Sequence, residues 1–99
     1  METKDSYLRK MKAKFDDLNY KWNTERNNLE AKAQHAKVEV RKKFEQSLIT
    51  LQQRRDQMRQ KLDQIDNASE EVWTSIKEGA DKAWNSLNEA IKKARSFFD

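Results

Sequence analysis

An all-α fold is predicted by three features of this 99-residue chain. It contains one Gly and no Pro, and the defined turns of a sheet draw heavily on both. Its composition is dominated by Lys, Glu, Gln, Ala, Leu, Arg and Asp, most of them good or tolerable helix formers. An apolar residue also recurs every eleven positions from Tyr7 to Trp84. Written in rows of eleven, one column reads Tyr7, Leu18, Leu29, Val40, Leu51, Leu62, Trp73, Trp84, Arg95. Eleven residues make three turns at about 3.67 per turn, so these positions lie nearly above one another on one helical face.

Disorder is the competing reading, because 38% of the residues are charged and only 35% apolar. The nine aromatics and the sustained apolar period argue against it. With this composition a compact single-chain core is hard to build, and the chain is expected to be one elongated helical region.

Residues 1–66 form the basic part, with 16 cationic and 11 acidic side chains. Its first turns also fit heptad spacing: Leu8, Met11, Phe15, Leu18, Trp22 and Leu29. Beside the central column runs an apolar one, Met11, Trp22, Ala33 and Phe44, that later turns polar. Another, Lys10, Lys21, Lys32, Lys43 and Arg54, is basic and then becomes Ile65, Ile76, Leu87 and Phe98. The apolar stripe therefore moves sideways near residues 52–57, and the two halves are expected to meet their partners along different faces.

The stretch "IDNASEEVW", residues 65–73, is the best place for a break. Asn67 and Ser69 are good N-cap residues, and Asn67 to Glu70 has capping-box spacing. Because the central column continues from Leu62 to Trp73, a single long amphipathic helix of about 150 Å is favoured. A helical hairpin broken near residues 66–69 is the alternative.

Residues 67–99 form an aromatic and small-residue amphipathic helix, with five cations and six carboxylates. Ala68, Gly79, Ala83 and Ala90 are candidates for close packing beside Trp73 and Trp84. Gly79 in mid-helix costs about 1 kcal/mol relative to Ala, which a tight contact would explain and an unselected Gly would explain as well.

A lone helix would leave the stripe in water, and burying such side chains is worth roughly 1.5–3 kcal/mol each. The expected function is thus structural or adaptor-like and non-enzymatic: self-association into a homo-oligomer, or packing along a larger protein. The predicted seam is Leu18, Trp22, Leu29, Val40, Phe44, Leu51, Leu62, Trp73, Ile76, Trp84, Leu87 and Phe98. One alternative is an amphipathic helix lying on a lipid surface through residues 69–98. Weak nucleic-acid binding by the basic column is a further, disfavoured alternative, since acidic groups are interleaved and no base-reading motif is present.

Candidate chemistry is sparse. His35 has only Glu39 nearby, which is not a metal-site pattern. Asp16/Asp17 and Glu70/Glu71 diverge on a helix and balance charge rather than converge in a cleft. With no phosphate loop, nucleophile–base set or zinc spacing, no cofactor, metal or small-molecule substrate is expected. The start of the chain lacks the apolar core of a signal peptide and no apolar run approaches a span, so the expected location is cytoplasmic or membrane-peripheral.

From Trp73 to Leu87 the chain reads W-x2-I-K-x-G-x3-AW-x2-L. Over roughly residues 58–98 it resembles small uncharacterised bacterial coiled-coil proteins with W-x2-[IL]-K-x-[GA]-x3-AW-x2-L repeats. More distantly it is similar to the eleven-residue repeats of apolipoproteins and synucleins. The resemblance implies a helical, cytoplasmic or membrane-peripheral protein and supplies no active site.

Overall fold

Helix formation begins at Thr3, whose hydroxyl accepts the Ser6 amide at 3.1 Å, with Asp5 in the first turn facing the positive end of the helix dipole. A computed structural model describes residues 2–98 and forms three helices: α1 (Lys4–Gln34), α2 (Val38–Asn67) and α3 (Trp73–Ser96). The described residues contain no strand.

The helices run up, down and up. The Lys4 ammonium at the start of α1 donates to the Asp66 and Ala68 carbonyls at the end of α2, at 3.3 and 2.9 Å. Near the other end, the Phe44 ring lies edge-on to Phe97 and Phe98, with centroids 6.5 and 5.0 Å away. The resulting body measures 52 × 19 × 18 Å. The favoured rod of about 150 Å is therefore replaced by its alternative, a break beside residues 66–69, with a second break added at residues 35–37.

Burial in each helix follows a period of seven. Leu8, Phe15, Trp22 and Leu29 are buried in α1, Phe44, Leu51, Met58 and Ile65 in α2, and Trp73, Ala80, Leu87 and Ala94 in α3. This is the seam of helices packed at a shallow angle, side by side. It also explains the sideways drift of the eleven-residue columns. Three heptads fall one residue short of two elevens, so Phe44 and Ile65, three heptads apart, occupy adjacent columns. Within α2, the drift reflects one intramolecular seam running from Phe44 to Ile65.

Both turns interrupt the sevens by one residue. Leu29 to Phe44 is fifteen residues and Ile65 to Trp73 is eight. Another seven-residue step from Ile65 would land on Val72, which is 49% exposed. One extra residue rotates the apolar face of a continuing helix by about 100°, away from the seam behind it. Reversing direction brings that face back onto the core. The eleven-residue column crosses both turns because each returning helix must present some apolar face, whatever its phase relative to the last.

Neither turn uses Gly, Pro or a positive φ. In the first, Lys37 takes up extended backbone and its carbonyl accepts the Arg41 amide at 3.0 Å. In the second, Ala68 is extended and the Ser69 carbonyl accepts the Val72 and Trp73 amides, each at 3.1 Å. The expected capping box does not form: α3 starts after Val72 without a side-chain cap, and Asn67 donates backward to the Asp63 carbonyl at 3.0 Å.

Candidate functional site

The three helices do not pack equally. Most close backbone approaches join α2 to α3, and the fewest join α1 to α3. Ala80 and Ala94, both fully buried, remove the side-chain bulk that would hold α3 off its neighbour. The parallel pair α1 and α3 is left splayed, and a groove of about 360 Å³ opens between them. Leu18 and Trp22 from α1 and Trp84 and Ile91 from α3 line it. Trp22 and Ile91 are buried, whereas Leu18 and Trp84 are only half-buried and face the opening.

Ion pairs close the groove's rim. Lys21 meets Asp17 at 3.0 Å. Arg95 forms a two-pronged pair with Glu25, its Nε to Oε1 and an Nη to Oε2 at 3.0 Å, tying α3 to α1. That guanidinium holds the Glu25 carboxyl below the usual carboxylate range, against a smaller opposing effect of burial.

Above the groove, the buried Tyr7 donates its hydroxyl to Asp81 at 2.7 Å. Its ring lies 5.7 Å from that of Trp73, and the Lys77 ammonium is 5.4 Å from its centroid. Lys77 is in turn paired with Glu2 at 2.6 Å. This contact lowers the pKa of Glu2 and raises that of Lys77. Burial, followed by the bond to Asp81 and its charge, raises the Tyr7 pKa well above 10. A phenol held so firmly in its neutral form is the reverse of an activated nucleophile.

At the α1–α2 contact, Asn19 Oδ1 and Arg55 Nε are buried without a hydrogen-bond partner. Burial, reinforced by the like charges of Arg59 and Arg26, lowers the Arg55 pKa. Arg59 stacks over the Phe15 ring at 5.8 Å.

Most of the predicted seam converges, but inside the chain. Trp22, Leu29, Phe44, Leu51, Leu62, Trp73 and Leu87 are buried, and Leu18, Val40, Ile76, Trp84 and Phe98 are half-buried. Of the small residues, Ala68, Ala83 and Ala90 are half-buried and border the core. Gly79 packs against nothing tight: a methyl there would meet only the flexible Lys61 side chain, at 3.5 Å. Met58, wholly buried, was not anticipated from the eleven-residue columns, and Ala80 and Ala94 carry the close packing expected of Gly79. The spacing of seven from Phe44 finds Met58, whereas Ala80 and Ala94 are already legible as small residues beside the tryptophans.

His35 forms the C-cap of α1, its amide donating to the Lys32 carbonyl at 3.1 Å. Among the described residues, no three His, Asp or Glu side chains are grouped to hold a metal, and no helix is long and apolar enough to cross a membrane. The basic column Lys10, Lys21, Lys32, Lys43 and Arg54 is divided between the antiparallel α1 and α2, so it does not form one evenly spaced line. In comparisons with known proteins, the chain matches no family model, no curated protein and no solved structure.

Proposed function

We propose that the chain is a non-enzymatic adaptor whose α1–α3 groove receives a helix from a larger protein partner. The observation supporting this reading is the half-buried pair Leu18 and Trp84 above a buried floor of Trp22 and Ile91. A fourth amphipathic helix laid there would complete the packing that α3 denies to α1 by staying on α2. Charge specifies the helix further. Lys21 and Arg95 already have close carboxylate partners, while on the same side of α1 Lys14 is in no ion pair among the described residues and Lys10 has only the more distant Glu2 charge. An acidic amphipathic helix supplies what they lack.

The chain's own helices cover the residues that called for a second copy, so the groove replaces the seam as the reason for association. Contact with lipid through residues 69–98 would require the bundle to open, because Trp73, Ala80, Leu87 and Ala94 face inward.

Calorimetric titration with a synthetic Leu/Glu amphipathic helix tests the reading. Micromolar binding is expected, weakened at least tenfold by Leu18→Glu or Trp84→Glu and unchanged by Ile49→Glu on another face. No binding, or equal loss in all three variants, overturns it.

A further inference from the structure

The ion pairs of this bundle are unevenly distributed. At the end holding the α1–α2 turn and the last turns of α3, the cations Lys37, Arg41, Lys42, Lys43, Lys92 and Lys93 take part in no ion pair or side-chain hydrogen bond among the described residues. Among the described residues of this region, the carboxylates without an ion pair are Glu39, Glu45 and Glu89, too few to balance them. At the opposite end, Lys4, Lys12 and Lys77 are each tied to carbonyls or carboxylates, and the unpaired Arg9, Lys10 and Lys61 stand among the carboxylates Asp5, Asp63, Glu70 and Glu71. One end of a 52 Å body is thus cationic and uncommitted.

Two further features belong to the same end. A cleft between α2 and α3 is lined by Lys42, Lys43 and Lys93, with the Thr50 hydroxyl and the half-buried Phe97 ring beside them. Val38, the first residue of α2, stands 54% exposed next to the turn. Three ammonium groups around one cleft suit a phosphate, and an exposed aliphatic residue at the tip suits an apolar layer just beyond it.

We propose that this end of the bundle docks on an anionic phospholipid surface, with head-group phosphate in the Lys42–Lys43–Lys93 cleft and Val38 at the acyl boundary. The bundle stays folded and stands end-on, so the internal seam is not the contact. A nucleic-acid duplex would use the same cations but has no use for Val38, which is why lipid is the better fit. The α1–α3 groove lies along the side of the body, so docking at the tip leaves it free.

Co-sedimentation with vesicles of phosphatidylcholine alone or mixed with phosphatidylglycerol tests the proposal at 0.1 M salt. The chain should pellet only with the mixed vesicles. Partitioning should fall at least tenfold in K42E/K43E/K93E and severalfold in Val38→Asp. In K10E/K14E, which carries one fewer reversal near the other end, it should fall much less. Circular dichroism confirms that each variant keeps its helices. Absence of binding to the mixed vesicles, or the same loss in both charge-reversal variants, overturns the proposal. So does binding of duplex DNA that depends on the three lysines but not on Val38.

Discussion

The Tyr7 hydroxyl donates to the Asp81 carboxylate at 2.7 Å, joining two residues seventy-four positions apart at the start of the parallel helices α1 and α3. Where these helices otherwise make few close approaches, this bond and the stacking of Tyr7 near Trp73 fix their relative height. Tyr7→Phe should therefore destabilise the fold by about 1.5–2 kcal/mol, the lower part of the range for a bond to a charged acceptor, as read by urea denaturation. The effect has a pH signature. Because the folded pKa lies above the unfolded value, the bond's contribution is complete below about pH 10. As pH rises past that point, the unfolded chain releases the phenolic proton while the folded chain retains it, and stability declines. Tyr7→Phe should flatten this alkaline limb, and an unchanged limb would assign it to other groups.

Glu25 and Arg95 make the corresponding tie near the other end of the groove. Both side chains are partly solvated, so the pair is worth only about 0.5–1 kcal/mol at neutral pH. The Glu25 carboxyl titrates below its unfolded value, so its contribution is present above about pH 4.3 and is lost as pH falls through the lower folded pKa. Glu25→Gln should lower stability at pH 7, with the gap from the parent chain closing in acid. A gap that persists undiminished at pH 2 would mean that packing, not charge, was lost.

Gly79 and Ala80 are neighbours with opposite tolerances. Gly79→Ala places a methyl in ordinary contact with Lys61 and relieves a mid-helix glycine, so a gain of about 0.5–1 kcal/mol is expected in thermal or urea unfolding. Ala80 is fully buried at the closest helix pair, and Ala80→Leu should cost about 1–3 kcal/mol by overpacking. A loss in the glycine variant would show that Lys61 cannot yield.

How far these features are legible in the sequence differs from element to element. The all-helical class follows from composition, and Asn67 and Ser69 locate the second turn within a few residues although neither acts as the expected side-chain cap. The first turn, His35-Ala36-Lys37, contains none of the residues that usually punctuate helices, and it needs none because its backbone stays at negative φ. Its signal is the extra residue between Leu29 and Phe44, visible only when burial is counted in sevens. Counting in elevens keeps Trp73 and Trp84 aligned but passes over Met58, and it conceals both reversals. The splay that makes the groove depends on the relative bulk of three faces at once, which no single-helix period reports. The groove's members Leu18, Trp22 and Trp84 are legible as apolar, but their differing exposure is not.

The phase argument leads to a prediction about the turn itself. Ile65 and Trp73 are separated by one residue more than a heptad, and Val72, the residue at the in-phase position, is half-exposed and contributes nothing to the core. Deleting Val72 would place Phe44, Leu51, Met58, Ile65, Trp73, Ala80, Leu87 and Ala94 in one unbroken heptad register. It would also shorten a turn held by two bonds to the Ser69 carbonyl. With the apolar face continuous, α2 and α3 can propagate as one helix, and α3 then finds its place on the α1–α2 hairpin of a second copy. The variant should sediment as a dimer with a longest dimension well beyond 52 Å by small-angle scattering. Inserting one Ala after Val72 moves the register further out of phase and should leave the parent's dimensions and mass unchanged. If the deletion and the insertion both keep the parent's association state and length, the seven-residue phase does not determine where this chain reverses.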